Sequence, residues 1–179
     1  AAAIDTLLAD PERAACVCGT IVAPATLARV AEARKAGRVI RDTDTTGQGR
    51  SATPLMVLVD GEEGPQAEEC FGPVSFVVPC DDAGQAIARA AGIARRKGAI
   101  TAALHATDEA LIADAARAFA AAGVNLSVNL TGGIYVNQSA AFSDFHVTGA
   151  NPAGNASLSD TAFVAPRFRR VMLRRPRAA

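Results

Sequence analysis

An α/β fold, with a parallel βαβ sheet flanked by helices, is predicted by three observations. Short apolar runs alternate with longer helical runs through the middle of the chain. Gly37, Gly98 and Gly123 each close one of the long helical runs, as glycine does at a helix end. From residue 74 onward the order strand, helix, strand, helix, strand leaves room for right-handed crossovers between parallel neighbours.

The elements follow in order. Pro24 opens a helix over residues 24–36, with Leu27, Val30 and Ala31 on one face and Gly37 as its stop. A strand is expected at 38–41, then a Thr- and Gly-rich loop or hairpin over 42–53. Residues 55–59 read as a compact apolar strand that turns at Asp60-Gly61. A strand at 74–78 precedes Asp81-Asp82, whose carboxylates suit the start of a helix running to Lys97. Arg95, Arg96 and Lys97 complement the dipole at its far end. Residues 100–105 form the next strand, and Thr107 is expected to cap a helix over 108–122. Strands at 124–130 and 134–137, split by Gly132-Gly133, are followed by a Gly-, Asn- and Ser-rich stretch at 139–160. A last strand spans 163–173. The organisation is one α/β domain over 1–160 and a C-terminal strand with a basic tail over 161–179.

Composition excludes several function classes. The 179 residues carry 18 basic and 18 acidic side chains, so no net field draws nucleic acid or an anionic membrane. Half the residues are hydrophobic, but only 4% are aromatic, and alanine supplies much of the total. Close helix packing through small side chains follows. Arg167, Arg169, Arg170, Arg174, Arg175 and Arg177 crowd the C-terminus, where they read as the charges of a solvated edge strand. The tail lacks the interleaved aromatics of a nucleic-acid binder. No run approaches the length of a membrane span, and the first residues carry no secretory signal, so a cytoplasmic protein is expected. Four N-x-S/T sequences, at Asn125, Asn129, Asn137 and Asn155, carry little meaning without such a signal.

Cys16, Cys18, Cys70 and Cys80 are expected as reduced thiols. Cys16 and Cys18 would share one face if their segment were a strand. With two histidines and no second close cysteine pair, a metal site is not expected.

The most informative stretch is Glu68-Glu69-Cys70-Phe71-Gly72-Pro73-Val74. A carboxylate can accept two hydrogen bonds from a diol, and an aromatic side chain two residues on offers a flat apolar face. The Gly-Pro pair then bends the chain into a strand. The stretch resembles the E-E-x-F-G-P-V signature of the aldehyde dehydrogenase superfamily. The resemblance continues at Gly19-Thr20-Ile21-Val22, which is similar to a G-P-L-I segment, and at Gly132-Gly133-Ile134-Tyr135-Val136-Asn137. Residues 141–149 stand where that family has a P-F-G-G-x-K-x-S-G loop. Phe142 and Gly149 match there, Thr148 stands for Ser, Ser143-Asp144 replaces the di-glycine and His146 replaces Lys. The run from Phe142 to Ala153 resembles the divergent branch associated with phenylacetic acid degradation.

This resemblance implies the C-terminal part of an aldehyde dehydrogenase catalytic domain, using NAD or NADP. Glu69 and Phe71 are the implied cofactor contacts, and Phe142 an implied wall of the substrate tunnel. The implied partners are a small-molecule aldehyde from aromatic catabolism, coenzyme A in some members, and further copies of the chain joined through the C-terminal strand. Neither nucleic acid nor a membrane is implied. In the family the nucleophilic Cys lies farther upstream of the signature than the residues preceding Glu69 here, so this chain alone is expected to be inactive. Cys70 takes an apolar residue's place and should alternate away from Glu69 and Phe71. His146, paired or not with Asp144, falls where the family has Lys, and the family's base is an upstream Glu. A non-catalytic interaction or oligomerisation module is the alternative.

Overall fold

Three aspartates and two prolines set four of the five α-helix starts among the described residues. The computed structural model describes residues 1–18, 21, 23–42, 54–61, 63–99, 101–131 and 171–176. Helix α1 (Ala2–Leu8) precedes α2 (Pro11–Val17), where the Asp10 carboxylate accepts hydrogen bonds from the Glu12 and Arg13 amides and Pro11 occupies the first turn. Helix α3 (Pro24–Lys35) again opens on proline. Its N–H would be an orphan at that position, so its absence costs nothing.

Strands β1 (Arg38–Arg41), β2 (Leu55–Leu58) and β3 (Val74–Val77) form a three-stranded sheet in that order. The β2–β3 pair is parallel, with Leu55 opposite Val74 and Leu58 opposite Val77. The β1–β2 pair is antiparallel, in keeping with the hairpin alternative read for residues 42–53. Arg41 fixes this corner. Its side chain, 11% exposed, donates to the Asp5 carboxylate at 2.8 Å and to the Pro54 carbonyl at 2.6 Å.

The core beneath this sheet joins Val30 and Ala33 to Leu55, Val57 and Val59. The face of α3 that packs is therefore Thr26, Val30 and Ala33 rather than Leu27, Val30 and Ala31; Leu27 and Ala31 are exposed. Small side chains win because the approach is close. A Cβ on Gly37 would stand 2.1 Å from the Leu58 carbonyl oxygen, so glycine is required there by contact rather than as a helix stop; Ala36 is the helix cap.

The chain divides into two compact units, Ala1–Pro79 and Cys80–Ala179. In the second, α4 (Ala83–Lys97) is capped by Asp82, whose carboxylate accepts from the Gln85 amide. Strand β4 (Thr101–Leu104) leads to α5 (Glu109–Ala121) and β5 (Asn125–Val128), a parallel βαβ unit. Asp108, not Thr107, caps α5, accepting from the Ala110 and Leu111 amides. At the other end Gly123 takes φ +76°, the Val124 amide donates to the Phe119 carbonyl and the Gly123 amide to the Ala120 carbonyl. This pair of bonds is a Schellman closure, with Phe119 and Val124 both buried across it. It turns α5 directly into β5.

Ala91, Ala94, Ile112, Ala115, Phe119, Val124, Leu126 and Val128 form the second core. Three alanines in it confirm close helix packing through small side chains. Strand β6 (Leu173–Arg174) adds to β5 in parallel, completing the order β4-β5-β6. Only the end of the expected 163–173 strand lies among the described residues, and the expected boundary at 160/161 lies outside them. The strand expected at 134–137 and most of the loop at 42–53 also lie outside them. Cys16 stands in the last turn of α2 and Cys18 caps that helix, so the two do not share a strand face. Helix capping at Asp10 favours the helical alternative locally. No helix among the described residues is long and apolar enough to cross a membrane.

Candidate functional site

The segment that carries Glu69 and Phe71 is tied to the first sheet at its downstream end. A short 3-10 turn, Pro65–Ala67, follows Gly64, whose φ of +155° favours glycine. Glu68 is then extended, and the chain runs to Pro73. The Pro73 carbonyl accepts from the Leu55 amide at 2.7 Å, lengthening the β2–β3 ladder by one bond. Gly72, at φ +156°, lies over α3: a Cβ there would touch Thr26 Cγ2 and Val30 Cγ2, each at 3.4 Å. Glycine thus lets the backbone sit against the helix while the preceding residues stay outside.

The two side chains ahead of that anchor point outward. Glu69 is exposed, and its carboxylate meets no hydrogen-bond or ion-pair partner among the described residues. Phe71 is 63% exposed, the most exposed large hydrophobic side chain among the described residues. Cys70, between them, is half-buried. Cys70 is thus less exposed than the carboxylate and the ring on either side of it. An open carboxylate two residues from an open aromatic face can accept hydrogen bonds from a diol and stack on a flat ring.

Phe142, Asp144 and His146 lie outside the described residues. His105 is exposed at the end of β4. Cys18, Cys70 and Cys80 are thiols rather than halves of a disulfide. No group of three His, Cys, Asp or Glu side chains among the described residues is placed to hold a metal ion.

A second polar constellation was not visible in the sequence. Arg175 forks onto Glu109 in the first turn of α5, with Nη1 to Oε2 at 2.9 Å and Nη2 to Oε1 at 2.5 Å. The hydrogen bond from Arg175 and its charge hold the Glu109 carboxyl below its usual range, and Glu109 in turn raises the Arg175 guanidinium. Arg174 donates to the Ser127 hydroxyl at 2.6 Å, and the Met172 amide donates to Asn125 Oδ1 at 2.8 Å. Arg174 and Arg175 thus each have a partner in the fold, Arg175 at the exposed surface. The one available signal was the pair Asn125 and Ser127, polar residues at alternate positions of an otherwise apolar strand.

No protein-family model matches the chain, and no curated protein matches it. Among solved structures, the chain is similar to the crystal structure of an NAD-dependent aldehyde dehydrogenase from Burkholderia multivorans. The two are 43% identical with a TM-score of 0.71, over 93% of this chain. The match spans 31% of that enzyme's length. This likeness supports the aldehyde dehydrogenase superfamily for the chain.

Proposed function

We propose that this chain is the C-terminal part of the catalytic domain of an NAD(P)-dependent aldehyde dehydrogenase, and that it supplies the ribose clamp of the cofactor site. The observation that carries the proposal is the outward pair Glu69 and Phe71, held on a segment anchored by Gly72 and Pro73, in a chain so similar to a solved enzyme of that activity. Glu69 accepts hydrogen bonds from the ribose hydroxyls as a carboxylate, a charge-assisted contact. Phe71 lies along the nicotinamide and shields it from water. When bound, the dinucleotide supplies the hydride acceptor.

The rest of the proposal concerns the larger enzyme. The thiol that attacks the aldehyde and the base that activates water lie outside this chain. Phe142 lines the substrate tunnel. The run from Phe142 to Ala153 favours an aldehyde from phenylacetate catabolism in a cytoplasmic enzyme, with water or coenzyme A releasing the product. The C-terminal strand contributes to a homo-oligomer.

The test is an assay of the longer gene product beside this chain. Aldehyde-dependent reduction of NAD or NADP is expected from the longer protein and not from residues 1–179 alone. Turnover by this chain alone would overturn the assignment of the nucleophile elsewhere, and a longer protein inert toward aldehydes would favour the non-catalytic module.

A further inference from the structure

We propose that Arg41 is a positioning residue for the Glu69–Phe71 segment, acting on it through the peptide group between Pro54 and Leu55. The proposal rests on the cofactor reading of that segment and adds what aims the pair.

The Pro54–Leu55 peptide group is bonded on both edges of β2. On one edge its carbonyl accepts from Arg41 Nη1 at 2.6 Å, and on the other its N–H donates to the Pro73 carbonyl at 2.7 Å. A trans peptide points these two groups in opposite directions, so Arg41 and Pro73 stand across the strand from each other. Hydrogen bonds at the two ends of one amide strengthen each other, because each polarises the group the other uses. A charged donor does so more than a neutral one.

The surroundings of Arg41 suit this contact. The register of the β1–β2 ladder shifts between Val39 and Arg41, and its last pair sets Arg41 opposite Met56. Pro54 lies beyond that pair, where the Arg41 side chain reaches it. The guanidinium is 11% exposed, and a charge so nearly buried is costly unless it is paired. Asp5 supplies the pairing from α1, accepting from Nε at 2.8 Å, and the Asp42 carbonyl accepts from Nη1 at 3.1 Å. A planar fork meets acceptors in several directions at once, which the ammonium of lysine does less well.

The contact bears on the clamp through Pro73. Proline fixes its own φ, and the Val74 amide bonds back to the Gly72 carbonyl at 2.8 Å, closing a tight turn around Pro73. The chain therefore leaves Pro73 toward Gly72, Phe71 and Glu69 in a direction set by where the Pro73 carbonyl is held. Glu69 and Phe71 are exposed, so burial does not aim them; the path of the backbone does.

Amide exchange of this chain and dinucleotide binding by the longer gene product test the proposal. The Leu55 and Val59 amides lie at opposite ends of the β2–β3 ladder, the second bonded to the Val77 carbonyl at 3.0 Å. Arg41→Met is expected to speed Leu55 exchange about tenfold, as loss of a hydrogen bond from a charged group does, and to leave Val59 unchanged. Arg41→Lys, which keeps the charge and loses the fork, is the second variant where the first does not fold. About threefold is expected from it, again at Leu55 and not at Val59. In the longer gene product, fluorescence titration with NADH and NADPH is expected to show Arg41→Lys weakening the tighter of the two by about threefold at an unchanged number of sites, with Glu69→Gln as the reference for the clamp itself. Equal acceleration at Leu55 and Val59 would make Arg41 a general stabiliser of the unit, and unchanged Leu55 exchange would break the link to Pro73; either overturns the proposal. Binding weakened by Glu69→Gln but not by Arg41→Lys would overturn it and leave the cofactor reading standing. Binding unchanged by both would remove the cofactor reading and this proposal with it.

Discussion

The two units use short parallel strands of the same length but treat the side chains beside them in opposite ways. In the first, Glu69 and Phe71 stand in solvent just ahead of β3, without a partner among the described residues. In the second, Asn125 and Ser127 are buried in β5 and matched by the chain's own C-terminal segment. Residues of the first kind contribute little to folding and are free to meet a ligand. Those of the second kind are held by the fold itself. An aromatic ring therefore carries different weight in the two places: Phe119 is structural, Phe71 is available.

The largest expected effect contrasts those two rings. Phe119→Ala should destabilise the chain by about 3–5 kcal/mol in denaturant unfolding, because it empties a closed core. Phe71→Ala should lie within about 0.5 kcal/mol of the parent, as surface substitutions do. Equal losses would erase the distinction between the units.

Glycines supply the next contrast. Gly37→Ala forces a methyl group against the Leu58 carbonyl and should cost about 1–3 kcal/mol, the range of an overpacked core. Gly123→Ala meets no atom within 4 Å, so only its left-handed backbone opposes it, at about 1–2 kcal/mol. Thermal melting of the two variants separates contact from conformation. Asp108→Ala should follow at about 1 kcal/mol, the loss of a helix cap. A matching loss from Thr107→Ala would return the cap to Thr107.

The smallest effect is a pH dependence. Glu109 has its carboxyl lowered from the ordinary 4.5 by Arg175, so the folded state binds its proton less readily than the unfolded chain. The stabilisation is fully present above the ordinary carboxylate range and is lost as pH falls through the lowered folded value. The raised Arg175 guanidinium acts in the opposite sense, but only in strong alkali. Melting of the parent and of Arg175→Ala should therefore converge in acid and separate toward neutrality, more weakly in high salt. Parallel curves across the carboxylate range would show that the pair contributes nothing.

Helix ends were legible in the sequence because their causes are local. Asp82, Pro24, Gly98 and Gly123 act within a turn of where they stand, and each marks an end in the structure. The choice between Thr107 and Asp108 was not legible, since both are competent caps and the backbone path decides. Helices α1 and α2 escaped notice because they are short and alanine-rich, with little apolar period to read. The Arg174–Ser127 contact depends on partners distant in sequence, which no local pattern encodes. At the candidate site, the spacing of Glu69, Cys70 and Phe71 already fixed which side chains would face together. Gly72's contact with α3, which holds that segment in place, required the fold. Phe142 falls outside the described residues.

One measurement decides whether Glu69 is a ribose clamp. In the longer gene product, Glu69→Gln should leave the melting temperature unchanged and raise the KM for NAD or NADP on the order of tenfold, the loss of a charge-assisted hydrogen bond. An unchanged KM at unchanged stability would show that the exposed carboxylate beside Phe71 is surface alone.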